Sequence, residues 1–229
     1  MEIPIIIVLT AASFVLLSIY IILYWKSYVP IPLNTDNARH FGFKKDNTRL
    51  PSFSVVIITH DCDSLLEQLI KKLVAQQYPF FEILIVNNAS TDGTNDVIKR
   101  ATIEHPDIVR HTYLPQNRNG ILHMSIATTL GVRAARNEWI ILLKPTSFPK
   151  SELWIASIAH AVLEGANICL GYNDYFGYDN SRWVRKAIKK RNKAQLLNFR
   201  AILRGKCKPV ECEGSNIVFS KKDFLENGG

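Results

Sequence analysis

SVVIITHDCDSLLEQLIKKLVAQQYPFFEILIVNNASTDGT, residues 54–94, decides the fold. The apolar run SVVII at 54–58 breaks into the polar loop THDCD at 59–63, and SLLEQLIKKLVAQ at 64–76 follows with helical spacing. A second apolar run, EILIV at 82–86, ends in NNASTDGT at 87–94. Short β-branched runs bounded by turn residues read as buried strands, and the i, i+3, i+4 pattern between them reads as an amphipathic helix. Ser64 and Glu67 have the spacing of a capping box, which predicts a helix opening at Ser64. NNASTDGT predicts a sharp turn that presents backbone N–H groups to an anion ahead of the next helix, with Thr91 and Asp92 as caps of that helix.

The alternation continues. A helix through about His105 is followed by VRHTYL (109–114), ILHMSIATTLGVRAAR (121–136), WIILL (139–143), KSELWIASIAHAVLEG (150–165) and ANICLGY (166–172). This order predicts an α/β fold with a mostly parallel sheet, helices on both faces, and ligands at the carboxyl ends of the strands. The chain contains no GxGxxG and no GxxxxGK[ST], so neither a dinucleotide fold nor a P-loop has support.

The 229 residues, 47% of them hydrophobic and 21% charged, suffice for one sizeable core with an accessory segment. Cys62, Cys169, Cys207 and Cys212 form no CxxC pair, which argues against a zinc site or a disulfide framework. The formal charge of +8 is localised. Residues 181–208 carry eleven Lys or Arg and no acid, so the remaining 17 bases against 20 acids leave −3. Such a patch points to an anionic partner.

From Ile3 to Tyr24 the chain runs 22 residues without a charge. At about 1.5 Å per residue that length spans a hydrocarbon core of roughly 30 Å, so residues 1–28 read as a single transmembrane anchor. The lack of a basic start disfavours a cleaved signal peptide. Lys26, Arg39, Lys44, Lys45 and Arg49 all follow the run, which places the remainder on the cytoplasmic side. Residues 29–51, with Pro30 and Pro32, read as a juxtamembrane linker to a domain over 52–229.

Residues 54–94 together resemble the opening of the family 2 glycosyltransferases, inverting enzymes of GT-A fold. The resemblance rests on the strand, polar loop, helix ending in an AQQYP-type turn, apolar strand and Ala-Ser-Thr-Asp-Gly run. It continues through NGILHMSIATTLGVRAARNEWIILL (119–143) and GSNIVFSKKDFLENGG (214–229). It implies a Rossmann-like GT-A sheet, here preceded by the transmembrane helix. It also implies inverting transfer of a sugar from a nucleotide-diphosphate donor to a glycan or lipid-linked acceptor.

The resemblance also implies site residues. The loop Thr59, His60, Asp61 and the position after the second strand, Asn87 with Asn88, correspond to the nucleoside-holding segments. Asn replaces the family's acid at Asn87, which leaves a hydrogen-bond acceptor but no charge. His60 also reads simply as a residue packing that loop. The family's DXD motif falls on Lys144-Pro145-Thr146, followed at family spacing by Pro149 and Trp154. Mg²⁺ or Mn²⁺ takes hard oxygen ligands there, and a protonated lysine ligates neither, so no metal ligand is assigned.

Three readings of Lys144 stand open: its ammonium replaces the metal against the diphosphate; the donor site is lost and the domain is a catalytically inactive binding or scaffold protein; or it is an ordinary strand-end lysine. The family's catalytic base is a carboxylate beyond a GGF-like turn, which corresponds to Gly228–Gly229, where this sequence stops. Asp223 and Glu226 precede that turn, so no catalytic residue is assigned and the family's C-terminal part is expected to be missing.

Ser181 to Gly205 reads as a basic helix, N-capped by Ser181 and stopped by Gly205, suited to anionic lipid headgroups close to the anchor. With few interleaved aromatics beyond Trp183 and Phe199, nucleic acid is not an expected partner. Asp174 and Asp179, in the loop after the fifth strand, read either as contacts to sugar or acceptor hydroxyls or as turn residues.

Overall fold

The computed structural model describes residues 13–21, 50–115, 124–171, 181–203 and 215–228. From residue 50 onward the elements are β1 (Phe53–Thr59), α1 (Asp63–Val74), β2 (Phe81–Asn88), α2 (Thr94–Glu104), β3 (Val109–Leu114), α3 (Met124–Ala134), β4 (Trp139–Leu143), α4 (Trp154–Leu163), β5 (Ile168–Leu170), α5 (Arg182–Leu203), β6 (Asn216–Ser220) and α6 (Lys221–Glu226). The strands form one six-stranded sheet in the order β3-β2-β1-β4-β6-β5. β1 pairs in parallel with β2 and β4, and β2 with β3, while β6 runs antiparallel to β4 and β5. The expected mostly parallel α/β sheet is what forms.

All seven residues of β1 are buried, as a central parallel strand covered on both faces requires. The pleat sends alternate side chains to opposite cores. Phe53, Val55 and Ile57 join Leu66, Leu69 and Leu73 of α1, Ile98 of α2 and Ile155 of α4 on one face. Val56, Ile58, Leu84 and Val86 meet Ala127 and Val132 of α3 on the other. The α1 to β2 turn is locked from both sides. Tyr78 donates its hydroxyl to the Pro51 carbonyl, and Gln76 donates to Ser151 O at 2.8 Å while accepting from Ile155 N–H at 3.1 Å.

Gly131 lets α3 lie directly on the sheet: a Cβ there would stand 2.6 Å from Val56 Cγ1 and 2.9 Å from Val86 Cγ2. Both valines are fully buried and have nowhere to retreat. Alanine ordinarily favours a helix over glycine by about 1 kcal/mol, yet overpacking of this kind costs about 1–3 kcal/mol. Gly131→Ala is therefore expected to lower unfolding free energy by about 1–2 kcal/mol in urea titration, the reverse of the helix-propensity sign.

The capping box does not form. The first helix begins at Asp63, and its N-cap Cys62 makes no side-chain cap. Glu67 instead bonds Lys71 at 3.0 Å, one turn on. Ser64 lies inside the helix because groups of the β2 loop satisfy the first N–H groups, as described below. At α5 the expected cap does form: Ser181 Oγ accepts from Val184 N–H at 3.3 Å.

No helix among the described residues is long and apolar enough to cross a membrane. Of the apolar run Ile3–Tyr24, residues 13–21 are described, as an exposed helical segment, and the rest of the expected span lies outside the described residues. So do the linker up to residue 49, Asp174, Asp179, Gly205, Cys207 and Cys212.

Candidate functional site

The parallel register puts the ends of β1, β2 and β4 at one edge of the sheet, with Thr59 opposite Asn87 and Ile57 opposite Leu143. The three segments singled out in the sequence, 59–61, 87–88 and 144–146, therefore converge at the carboxyl edge. Their side chains are not equally available. Thr59, Asn87 and Asn88 are 0%, 2% and 2% exposed. His60 is half-buried, and Asp61, Lys144 and Thr146 are exposed.

The buried members hold the loops in shape. Thr59 Oγ1 lies 2.7 Å from Cys62 Sγ, and burial pushes the Cys62 thiol up from its ordinary value. Asn87 uses both ends of its amide: Oδ1 accepts from Ser90 N–H at 3.0 Å and Nδ2 donates to Asn95 Oδ1 at 3.1 Å. Asn88 Nδ2 points at Met124 Sδ, 3.9 Å away. An isolated Asn after a strand gives no sign of these partners, because Asn95 lies eight residues on, in the first turn of α2. Cys62, Ser90 and Asn95 were not legible as site residues.

The β2 loop does present its N–H groups to an anion, but the anion belongs to the protein. Asp61 Oδ1 accepts from Thr91 N–H at 2.7 Å and from Asp92 N–H at 3.4 Å. Asp92 Oδ1 accepts from Thr94 N–H at 3.0 Å and Oδ2 from Asp63 N–H at 3.3 Å. One carboxylate thus serves the first residues of α1 and α2 together, where the sequence suggested a cap for α2 alone. Slight burial opposes ionisation of Asp92, but the bonds from Thr94 and Asp63 outweigh it and hold the carboxyl below its ordinary value. Cys62 N–H donates to Thr94 Oγ1 at 3.0 Å, which completes the stitching of the two loops. Asp61 and Ala89 sit at φ +46° and +57°, the left-handed region that a short polar residue tolerates best.

His60 bridges the same loops. Its Nδ1 lies 2.9 Å from the Asn88 carbonyl, which can only accept, so Nδ1 is the donor in that bond. Its Nε2 stands 3.3 Å from Asp61 Oδ2. On the β4 side, Ser147 N–H donates to Lys144 O at 2.9 Å, closing a turn with Pro145 at its second position, where the fixed φ of proline suits it. The Lys144 side chain has no acidic partner among the described residues. Among the described residues no group of three or more His, Cys, Asp or Glu could hold a metal ion. The donor set at this edge, an ammonium and a hydroxyl on one side and internally bonded carboxylates on the other, does not fit a hard divalent cation.

A cleft of about 270 Å³ opens elsewhere, between α4 and the β5–β6 edge, lined by Trp154, Ile158, Cys169 and Asn216 among others. Trp154 and Cys169 are the residues named from the sequence that line it, and none of the candidate donor-site residues does.

The model of the family described as Glycosyl transferase family 2 matches residues 54–227. EpsE of Bacillus subtilis (strain 168), a protein named as a glycosyltransferase, is 23% identical over 134 residues, 58% of this chain and 48% of its own. Among solved structures, the mannosyltransferase PcManGT from Pyrobaculum calidifontis, in complex with GDP-Man and Mn²⁺, is similar with a TM-score of 0.60 at 18% identity, over 97% of this chain and 57% of that one. TarS of S. aureus gives 0.51 at 14% identity, over 77% and 30%. The chain thus spans about half the length of the curated relative it matches. At these identities the structural likeness establishes a GT-A-like fold.

Proposed function

The chain belongs to glycosyl transferase family 2, and on that premise we propose that it transfers a sugar from a nucleotide-diphosphate donor to a glycan or lipid-linked acceptor at the cytoplasmic face of a membrane. The observation that carries the reading is the convergence of the β1, β2 and β4 ends at one edge, on a domain matched by the family over 54–227. In this reading the donor lies across that edge, nucleoside toward His60, Asp61 and the Asn87–Asn88 loop, diphosphate toward Lys144 and Thr146. Asn87 and Thr59 act from beneath by fixing the loops, since both are buried.

PcManGT was solved with GDP-Man and Mn²⁺. In this reading Lys144 and Thr146 take the positions of the family's DXD carboxylates, and an ammonium and a hydroxyl do not make a site for a hard divalent cation. The Lys144 ammonium supplies positive charge to the leaving diphosphate instead. A membrane anchor over residues 1–28 accompanies this reading. It is supported by residues 13–21, a helical segment on which Phe14, Val15, Leu16, Leu17, Ile19, Tyr20 and Ile21 are all exposed apolar or aromatic side chains.

The same Lys144-Pro145-Thr146 turn favours a second reading, a non-catalytic relative acting as a membrane-bound binding or scaffold protein. Calorimetric titration with UDP-, GDP- and dTDP-sugars separates the two. One of these donors is expected to give an isotherm at millimolar or tighter affinity, and the absence of any leaves the scaffold reading.

A further inference from the structure

The exposed side chains of α5 divide by angle. At about 100° per residue, Val184, Ile188 and Asn192 line up as the half-buried stripe of the helix. Arg182, Arg185, Lys186, Lys189, Lys190 and Lys193 are exposed, and they fall within an arc of roughly 140° that begins beside Asn192 and runs round the side of the helix away from Val184, while Arg191, also exposed, lies on the other side of the stripe. None of these six has an acidic partner among the described residues. Trp183, 80% exposed, borders the arc two turns from Lys190.

Such an arrangement works against the isolated helix. The pairs 182/186, 185/189, 186/190 and 189/193 are all like charges at i, i+4, each of which weakens a helix unless counter-charge is supplied. The repulsion is relieved by a partner that presents many anions at once along about 18 Å of helix. We propose that this face of α5 docks on an anionic lipid surface, the six cations among headgroups and the Trp183 indole at the boundary of the acyl region. A plane of headgroups matches a straight, one-sided cationic face with a single amphipathic ring at its margin. Stacking on nucleobases would call for several exposed aromatics. The choice of a membrane over another polyanion rests on the anchored reading above.

The full chain, reconstituted in vesicles of phosphatidylcholine with or without phosphatidylglycerol, tests this. The Trp183 signal is isolated as the fluorescence difference between the chain and its Trp183→Phe variant. Brominated phospholipid is expected to quench that signal about threefold or more strongly when phosphatidylglycerol is present, and Lys186→Gln/Lys189→Gln/Lys190→Gln/Lys193→Gln is expected to abolish the difference. Equal quenching in both vesicle types, or quenching indifferent to the fourfold variant, overturns the proposal. So does a single-stranded oligonucleotide that strips Trp183 from the vesicles at physiological salt, which would assign the face to nucleic acid. Alkaline carbonate extraction reports the N-terminal anchor separately. A chain that carbonate extracts yet whose Trp183 is quenched only with phosphatidylglycerol supports the α5 docking and refutes the anchor.

Discussion

Lys144→Ala is expected to lower kcat/KM for sugar transfer on the order of 10²- to 10³-fold, the loss seen when one preorganised charge stabiliser is removed. The unfolding free energy is expected to stay within the scatter of ordinary surface changes, about 0.5 kcal/mol. That separation follows from the geometry. The turn is closed by the backbone of Lys144, through Ser147 N–H at 2.9 Å, and its exposed side chain has no acidic partner among the described residues. Alanine therefore removes the ammonium and leaves the turn intact.

If the ammonium meets charge that develops on the leaving diphosphate, kcat falls with kcat/KM; if it only holds the donor, KM rises and kcat survives. Lys144→Arg, which keeps a cation, is expected to recover part of the rate. Transfer is expected to persist in EDTA. A strict requirement for Mn²⁺ would sink the role given to Lys144.

The second large effect lies at the opposite end of the strands. Glu82, 5% exposed near the start of β2, accepts from Ser54 Oγ at 2.7 Å and Arg136 N–H at 2.6 Å through Oε1, and from Arg110 Nη1 at 2.9 Å through Oε2. Ser54 Oγ in turn accepts from Asn137 N–H at 3.1 Å, so one carboxylate ties β1, β2, β3 and the α3–β4 connection. Burial pushes the Glu82 carboxyl up, but the Arg136 N–H, the Ser54 hydroxyl and Arg110 together hold it below its ordinary value of 4.5.

Glu82→Ala strips three donors of their acceptor and leaves Arg110 uncompensated. The expected loss is about 3 kcal/mol in chemical denaturation, the low end for a broken buried pair because Arg110 retains partial access to water. The pH dependence has a defined sign. A group whose folded pKa is depressed contributes stability that is full above its unfolded value and is lost as pH falls through the folded one. The melting temperature of the wild-type chain is therefore expected to drop below about pH 4.5 more steeply than that of Glu82→Gln.

The sheet was legible because two-sided burial writes itself as uninterrupted apolar runs: β1 and β2 could be placed from SVVII and EILIV without any partner in view. The convergence of residues 59–61, 87–88 and 144–146 was legible for the same reason, since parallel strands share a carboxyl edge. The direction of each side chain was not. Thr59 and Asn87 look like available ligands in a polar loop, and only the contacts with Cys62 and Asn95 show them turned inward. The start of α1 was misread because its first N–H group meets Asp92, 29 residues downstream, a partner that no local capping rule can see.

That Asp92 bond carries a consequence for charge at the edge. In many α/β sheets the amino ends of helices are the positive pole that receives a ligand's phosphate. Here Asp92 is a resident counter-ion for α1 and α2, and Asp61 fills the neighbouring amides, so that pole is already neutralised. The edge is polarised in advance, with carboxylates on the β1–β2 side and the ammonium of Lys144 on the β4 side. A molecule with a neutral base and an anionic tail meets repulsion for its tail at one end and attraction at the other, and this asymmetry gives it an orientation before any close contact is made.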